Sequence, residues 1–285
     1  MAAEAQTAPV GSAMARKMVG RIGFYVFITV AGAFFAVPML WLVLAPFDTQ
    51  PTLAAEVPQF SLDNFERVFE NPFALTSLRN SLFLSVQTMV LMVAAAALCS
   101  YALSRVRIPG RDALLYVLLL FSSIVTGTAA MVPIFQLVNR LGLIDTYMGV
   151  VLVVTGGLLP AGIFILKDFM DSMPASYEES ARVAGAGPLQ TLRDIVLPVV
   201  RPGLAVIAVW ALVNVWGDFL TPFILLRSDE LLPASVRMFN FYTEGGQANL
   251  KVLSAYSFLY SIPVVLMYLF VNLRYGFRFY GGIKA

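Results

Sequence analysis

The chain has 285 residues, 59% of them hydrophobic and 13% charged, with a mean hydropathy of +0.80 and a formal net charge of +2. That balance excludes a soluble globular domain and places the chain in a membrane, and the small, scattered positive charge excludes a nucleic-acid partner. Histidine is absent and cysteine occurs once, at Cys99, which removes the usual general base, the commonest metal ligand, the Ser-His and Cys-His nucleophile pairs and any internal disulfide. No catalytic residue and no metal site is therefore expected.

A helix that crosses roughly 30 Å of hydrocarbon needs about 20 mostly apolar residues. In chain order, residues 1–20 read as a tail, and the first uncharged run is 22–47. Arg16 and Lys17 before it and the small residues Ala31-Gly32-Ala33 within it resemble a secretory signal, but the run continues through Trp41, so an uncleaved span is expected. Residues 21–76 then hold this span and an external loop, where Ser61 is placed to cap a short helix with Asp63 in its first turn. Leu62, Phe65 and Phe69 fall on one face of that helix, to pack on the membrane domain or to receive an external partner.

Five further runs follow at 80–104, 113–139, 146–166, 202–226 and 252–273, with Asp218 the sole charge in the fifth span. Backbone groups in lipid must pair within their own segment, and no alternating barrel pattern is present, so each run is expected to be helical. The predicted fold is an all-α membrane protein with six transmembrane helices. Residues 77–274 form a core of five spans around a loop at 169–200, and 275–285 form a second tail. Pro38, Pro133, Pro160, Pro222 and Pro263 lie inside the runs, where each removes a backbone donor.

Under this topology thirteen Lys and Arg residues fall on the side of both termini and the 169–200 loop, and six on the other. The asymmetry places both termini and that loop in the cytoplasm. Within the loop, Pro174 and Ser176 signal a helix start, Glu178 and Glu179 suit its first turn, and Gly185 with Gly187 and Pro188 signals a stop before a second helix to about Leu197. A soluble-looking segment wedged between two spans is expected to dock on another protein.

Glu179-Ser180-Ala181, three residues, Gly185, nine residues, then Ile195-Val196-Leu197-Pro198 resembles the signature loop of the membrane subunits of binding-protein-dependent ABC importers, whose pattern is Glu-Ala-Ala, three, Gly, nine, Ile-x-Leu-Pro. Two positions depart from it: Ser180 replaces the usual Ala, and Ala184 stands where sugar-importer members commonly have Asp. Asn80-Ser81-Leu82, Tyr101-Ala102-Leu103-Ser104-Arg105 with Pro109-Gly110, Leu141-Gly142-Leu143-Ile144-Asp145-Thr146, Trp216-Gly217-Asp218-Phe219-Leu220 with Pro222, and Gly281-Gly282-Ile283-Lys284 are similar to patterns of carbohydrate-importer permeases. They most resemble the subunit that pairs with a second, similar permease, as in the maltose importer.

The resemblance implies a type I importer permease fold in a bacterial inner membrane. It implies a heterodimer with that second permease, a dimer of cytoplasmic ABC ATPases, an external binding protein and a sugar or oligosaccharide substrate. Carried over, Glu178, Glu179, Ala181, Gly185, Ile195, Leu197 and Pro198 form the coupling helix that meets the ATPase. The glycine-rich stretches Gly185-Ala186-Gly187-Pro188 and Gly245-Gly246-Gln247 lack the Lys-Ser/Thr of a Walker A loop, so the chain itself is expected to hold no cofactor, with ATP and Mg bound by the partner.

Asn80, Asn214, Trp216 and Asp218 are candidates for the substrate pathway. Asp218, sixteen residues beyond Pro202 at about 1.5 Å each, lies toward the outer interface, where capping competes with substrate contact. Asn214 could equally serve as polar glue between helices. An amino-acid or peptide permease is the alternative within the family, and an ion-coupled carrier the alternative outside it.

Overall fold

A computed structural model describes residues 10–52, 59–106, 109–125, 128–243 and 249–275. The described residues are helical apart from turns and a single isolated bridge between Asp48 and Phe60. In chain order the main helices are α1 (Val10–Leu44), α2 (Asp63–Glu70), α3 (Ala74–Arg105), α4 (Arg111–Val125), α5 (Met131–Arg140) and α6 (Tyr147–Asp171). They continue with α7 (Ser176–Val183), α8 (Pro188–Thr191), α9 (Leu197–Val199), α10 (Arg201–Gly217), α11 (Leu220–Leu225), α12 (Ala234–Thr243) and α13 (Leu250–Tyr275). The 281–284 pattern, Gly245-Gly246-Gln247, and residues 1–9 and 276–285 of the predicted tails lie outside the described residues.

The centre of the bundle is α3 packed on α6 and α10. One stripe of α3 at helical spacing, Ser77, Ser81, Ser85, Thr88, Met92, Ala96 and Ser100, is buried. Its mostly small side chains let neighbouring backbones approach closely, which is how helices associate where lipid removes the hydrophobic drive. Ser100 donates to the carbonyls of Ala96 at 2.5 Å and Ile163 at 3.2 Å, tying the C-terminal halves of α3 and α6. By contrast α1 turns Phe24, Phe27, Phe34 and Phe35 outward, and α13 does the same with Leu266, Tyr268 and Phe270. Such apolar faces suit lipid contact.

Among the described residues, four segments are long and apolar enough to cross a membrane: Gly20–Phe47, Ala74–Arg105, Tyr147–Asp171 and Leu250–Val271. A bent pair, Pro188–Val199 with Arg201–Gly217, makes a fifth if counted as one. The six predicted runs differ from single helices in two places. The 113–139 run divides into α4, of 15 residues, and α5, of 10, joined through a 3-10 turn at Thr128–Ala130. The 202–226 run breaks after Gly217, leaving α10 with 17 residues, about 25 Å. A proline follows each break. Pro133 and Pro222 each stand in the first turn of a new helix, where a missing N–H costs nothing, whereas Pro38, Pro160 and Pro263 are carried inside unbroken helices.

In the loop predicted to be external, the Asp63 amide donates to Ser61 Oγ at 3.0 Å, but the N-cap residue of α2 is Leu62, which offers no side-chain cap, so Ser61 stands one residue earlier than expected. The buried face of α2 differs from the prediction. Asn64 and Val68 are buried, Phe65 meets Phe47 and Phe258, and Leu62 and Phe69 remain exposed. Asn64 decides the orientation, because its side-chain amide donates to the carbonyls of Pro46 at 3.0 Å and Asp48 at 2.6 Å.

Asp145 pins two loops together across the chain. Its Oδ1 accepts from the amides of Arg227 at 2.8 Å and Ser228 at 2.9 Å, its Oδ2 accepts from the Ser228 hydroxyl, and its own amide donates to Leu225. The Ser228 hydroxyl and then the two amides hold this carboxyl below the usual carboxylate range. A depressed folded-state pKa stabilises the fold above the ordinary value near 3.9, and the contribution is lost as pH falls through the folded value. Asp145→Asn is accordingly expected to lower the thermal midpoint of the purified chain at pH 7. The gap to wild type should close as pH falls below about 4; a pH-independent gap would assign the effect to shape alone.

Candidate functional site

The 178–198 segment forms an elbow between α6 and α10. Pro174 and Ala175 turn the chain out of α6, and the amides of Glu178 and Glu179 donate to the Ala175 carbonyl, opening α7. Gly185 closes it with φ +86°. There the Gly185 amide donates to Arg182 at 2.9 Å and the Ala186 amide to Ala181 at 3.0 Å, the paired bonds of a Schellman motif that satisfy the last carbonyls of α7. Pro188 then occupies the first turn of α8, which continues through a π-helical turn at Leu192–Val196 into α9. The chain bends by 80° into α10. Pro198 and Pro202 bracket this corner, each removing an N–H that a continuous helix would need.

The elbow has an inner and an outer side. Inward, Leu192, Val196 and Val200 join a buried cluster with Met92, Ala96 and Ala97 of α3, Leu115 of α4, and Leu166 and Met170 of α6. Leu197 packs against that cluster, and Ala181, Ile195 and Pro198 are half-buried. Outward, Val183 is 91% and Leu189 72% exposed, beside exposed Tyr177, Glu179, Arg182 and Arg193. Two large apolar side chains so exposed, next to charges of both signs, make this a candidate contact surface.

The two neighbouring acids part company. Glu179 faces out, while Glu178 is 1% exposed and enters an ion pair with Arg105, Nε to Oε1 at 2.5 Å. Tyr101 donates to the other oxygen at 3.4 Å. Arg105 also donates to Met170 O at 3.0 Å and Met173 O at 3.5 Å, and to Ser104 Oγ at 3.0 Å. Ser104 in turn donates to Asp171, which pairs with Lys167, both at 2.5 Å. Removing one member of a buried ion pair typically costs about 3–5 kcal/mol, because the other charge is stranded. Sequence reasoning marks Glu178 but misses Arg105 as its partner. Tyr101 and Arg105 sit four apart on one helix face, yet nothing in the chain connects them to a residue 73 positions away.

The four pathway candidates divide between separate places. Asn214 and Asp218 line a cleft of about 220 Å³ with Met131, Ile134, Gly157 and Thr221, between α5, α6, α10 and α11. Asp218 Oδ1 also accepts from the Thr221 amide at 3.2 Å, capping α11, and Asn214 donates back to its own helix at Trp210. Trp216 is buried against Tyr260, whose hydroxyl donates to the Trp216 carbonyl at 2.6 Å. Asn80 is buried, with its amide donating to the carbonyls of Glu230 and Leu232. Both act here as fasteners, away from the cleft.

Residues 110–277 match the family described as binding-protein-dependent transport system inner membrane component. The chain is 30% identical over 264 residues to the maltodextrin transport system permease protein MdxG of Bacillus subtilis, covering 92% of this chain and 95% of the relative. It is 33% identical over 228 residues to the alpha-glucoside transport system permease protein AglG of Rhizobium meliloti, covering 78% of this chain and 59% of that one. Among solved structures, a chain of a bacterial ABC transporter that imports the acidic polysaccharide alginate superposes with a TM-score of 0.78 at 21% identity, covering 95% of this chain and all of the other.

Proposed function

From the fact that the chain belongs to the binding-protein-dependent transport system inner membrane component family, we propose that it forms half of the translocation pathway of an ATP-driven importer for a sugar or oligosaccharide. The chain is the non-catalytic permease component, and ATP hydrolysis belongs to a separate subunit. The observation that carries the reading is the elbow. Its signature residues lie between α6 and α10, its inner side is fused to the bundle core, and its outer side presents Val183 and Leu189 to water.

In this reading the elbow is cytoplasmic with both termini, six segments cross the bacterial inner membrane, and α4–α5 and α10–α11 are broken crossings. A cytoplasmic ABC ATPase dimer, holding ATP and Mg, seats on the elbow, and Glu179, Ala181, Gly185, Ile195, Leu197 and Pro198 shape that contact. A second, similar permease completes the pathway, and an external binding protein delivers the sugar. The cleft at Asn214 and Asp218 offers substrate polar side chains in a largely apolar lining. Because the elbow continues into α6 and α10, a rigid-body shift at the ATPase becomes a tilt of those helices.

The test is reconstitution of the complex in proteoliposomes with radiolabelled maltotriose, galactotriose, arabinotriose, glutamine and trialanine. ATP-dependent accumulation of one or more of the oligosaccharides is expected. Accumulation of only glutamine or trialanine would move the substrate class, and uptake that ignores ATP and collapses with a protonophore would overturn the importer reading.

A further inference from the structure

The ion pair between Arg105 and Glu178 has a geometry that its role as a helix fastener does not exhaust. The elbow is continuous in the chain with α6 and α10, but not with α3, the helix that packs on both. We propose that Arg105 is a positioning residue for coupling: through Glu178 it makes α3 move as one body with α7, so that the ATPase drives the central helix directly. This rests on the transport reading above.

Three features support it. Both oxygens of the Glu178 carboxylate are held from α3, by Arg105 and by Tyr101 one turn earlier. Arg105 simultaneously grips the carbonyls of Met170 and Met173 at the end of α6, so a single guanidinium joins three elements. Finally, Glu178 is almost fully removed from water, so no solvent stands ready to replace a broken bond. Apolar side chains slide past one another at small cost, whereas any shift of α7 against α3 must break a charge-assisted hydrogen bond. Motion of the elbow is therefore passed to α3 rather than absorbed between them.

The experiment uses the assembled complex in lipid nanodiscs, in a Cys99→Ser background, with spin labels on introduced cysteines. The pair Ser176→Cys with Leu98→Cys reports α7 against α3. The pair Ser176→Cys with Val265→Cys reports α7 against α13. All three positions are exposed, and none lies on the surface assigned to the ATPase. On adding ATP and vanadate, the α7–α13 distance should shift by about 2 Å or more while the α7–α3 distance holds within about 1 Å. In Glu178→Gln and in Arg105→Gln the α7–α3 distance should shift too, and the double variant should behave like either single one, since each removes the same link. An α7–α3 shift in wild type, or an unmoved distance in both variants, overturns the proposal.

If Glu178→Gln fails to assemble, Tyr101→Phe removes one arm without stranding a charge. It should broaden the α7–α3 distribution on ATP, and an unchanged distribution overturns the link. Should wild type show no ATP-driven α7–α13 shift, the transport reading fails instead. The width of the α7–α3 distribution with and without Glu178→Gln then still decides whether the link is rigid.

Discussion

Gly185→Val should reduce ATP-driven uptake to background while leaving the chain inserted, whereas Gly185→Asn should retain most of it. The residue sits at φ +86°, and a β-carbon built there meets no atom within 4 Å. The penalty is thus conformational rather than steric, about 1–2 kcal/mol for an ordinary L-residue in the left-handed region and more for a β-branched one. Asn tolerates that region and often replaces glycine at this helix position. Losing the left-handed turn would also free the last carbonyls of α7 that the Gly185 and Ala186 amides now satisfy, and so redirect the exposed Val183. Gly185→Asp shares the shape of Asn but adds a charge on the exposed face, and is expected to abolish uptake. Comparing it with Asn separates charge from backbone. Insertion, ATPase co-purification and uptake are measured together for Val, Ala, Asn and Asp. If activity follows side-chain volume rather than left-handed tolerance, the turn at Gly185 is not what sets the elbow.

That turn is legible in the amino-acid order alone, because a glycine at the end of a helical stretch, followed closely by Gly187 and Pro188, is a strong stop signal. The same holds for the four long spans, where composition and continuity coincide. Elsewhere they separate. An uncharged run reports that a segment tolerates lipid, not that its helix is unbroken. Pro133 and Pro222 start new helices while Pro160 rides within α6, a difference set by neighbouring helices rather than by local sequence. On α2 the apolar positions 62, 65 and 69 have the spacing of a packing face, but the two hydrogen bonds of Asn64 outweigh them and leave Leu62 and Phe69 outside. The split between Glu178 and Glu179 is hidden for a related reason. Adjacent acids in a first turn have the same helix-dipole rationale, and only tertiary contact shows which one Arg105 takes.

The second large effect is expected at the corner itself, from Gly203→Ala. A β-carbon there would lie 2.6 Å from Phe169 Cγ, 2.7 Å from Cδ2 and 3.0 Å from Cβ. Flipping the ring leaves Cβ and Cγ where they are, so either Phe169 leaves its χ1 rotamer or α10 lifts away from α6. Forcing one methyl into such a contact typically costs about 1–3 kcal/mol. The displacement falls two residues after the bend, where it would loosen Val200 and Ile207 from the inner cluster and let the elbow swing independently of the bundle. Gly203→Ala should therefore lower the thermal midpoint and reduce uptake per ATP hydrolysed. Phe169→Ala alone should destabilise by leaving a cavity. Combined, the two should be better than the sum of their separate losses, because the alanine methyl fills the space that the ring vacates. Additive losses in this cycle, or a neutral Gly203→Ala, would mean that α10 does not bear on Phe169. The corner would then be free to flex, and force applied at the elbow would dissipate there before reaching the spans.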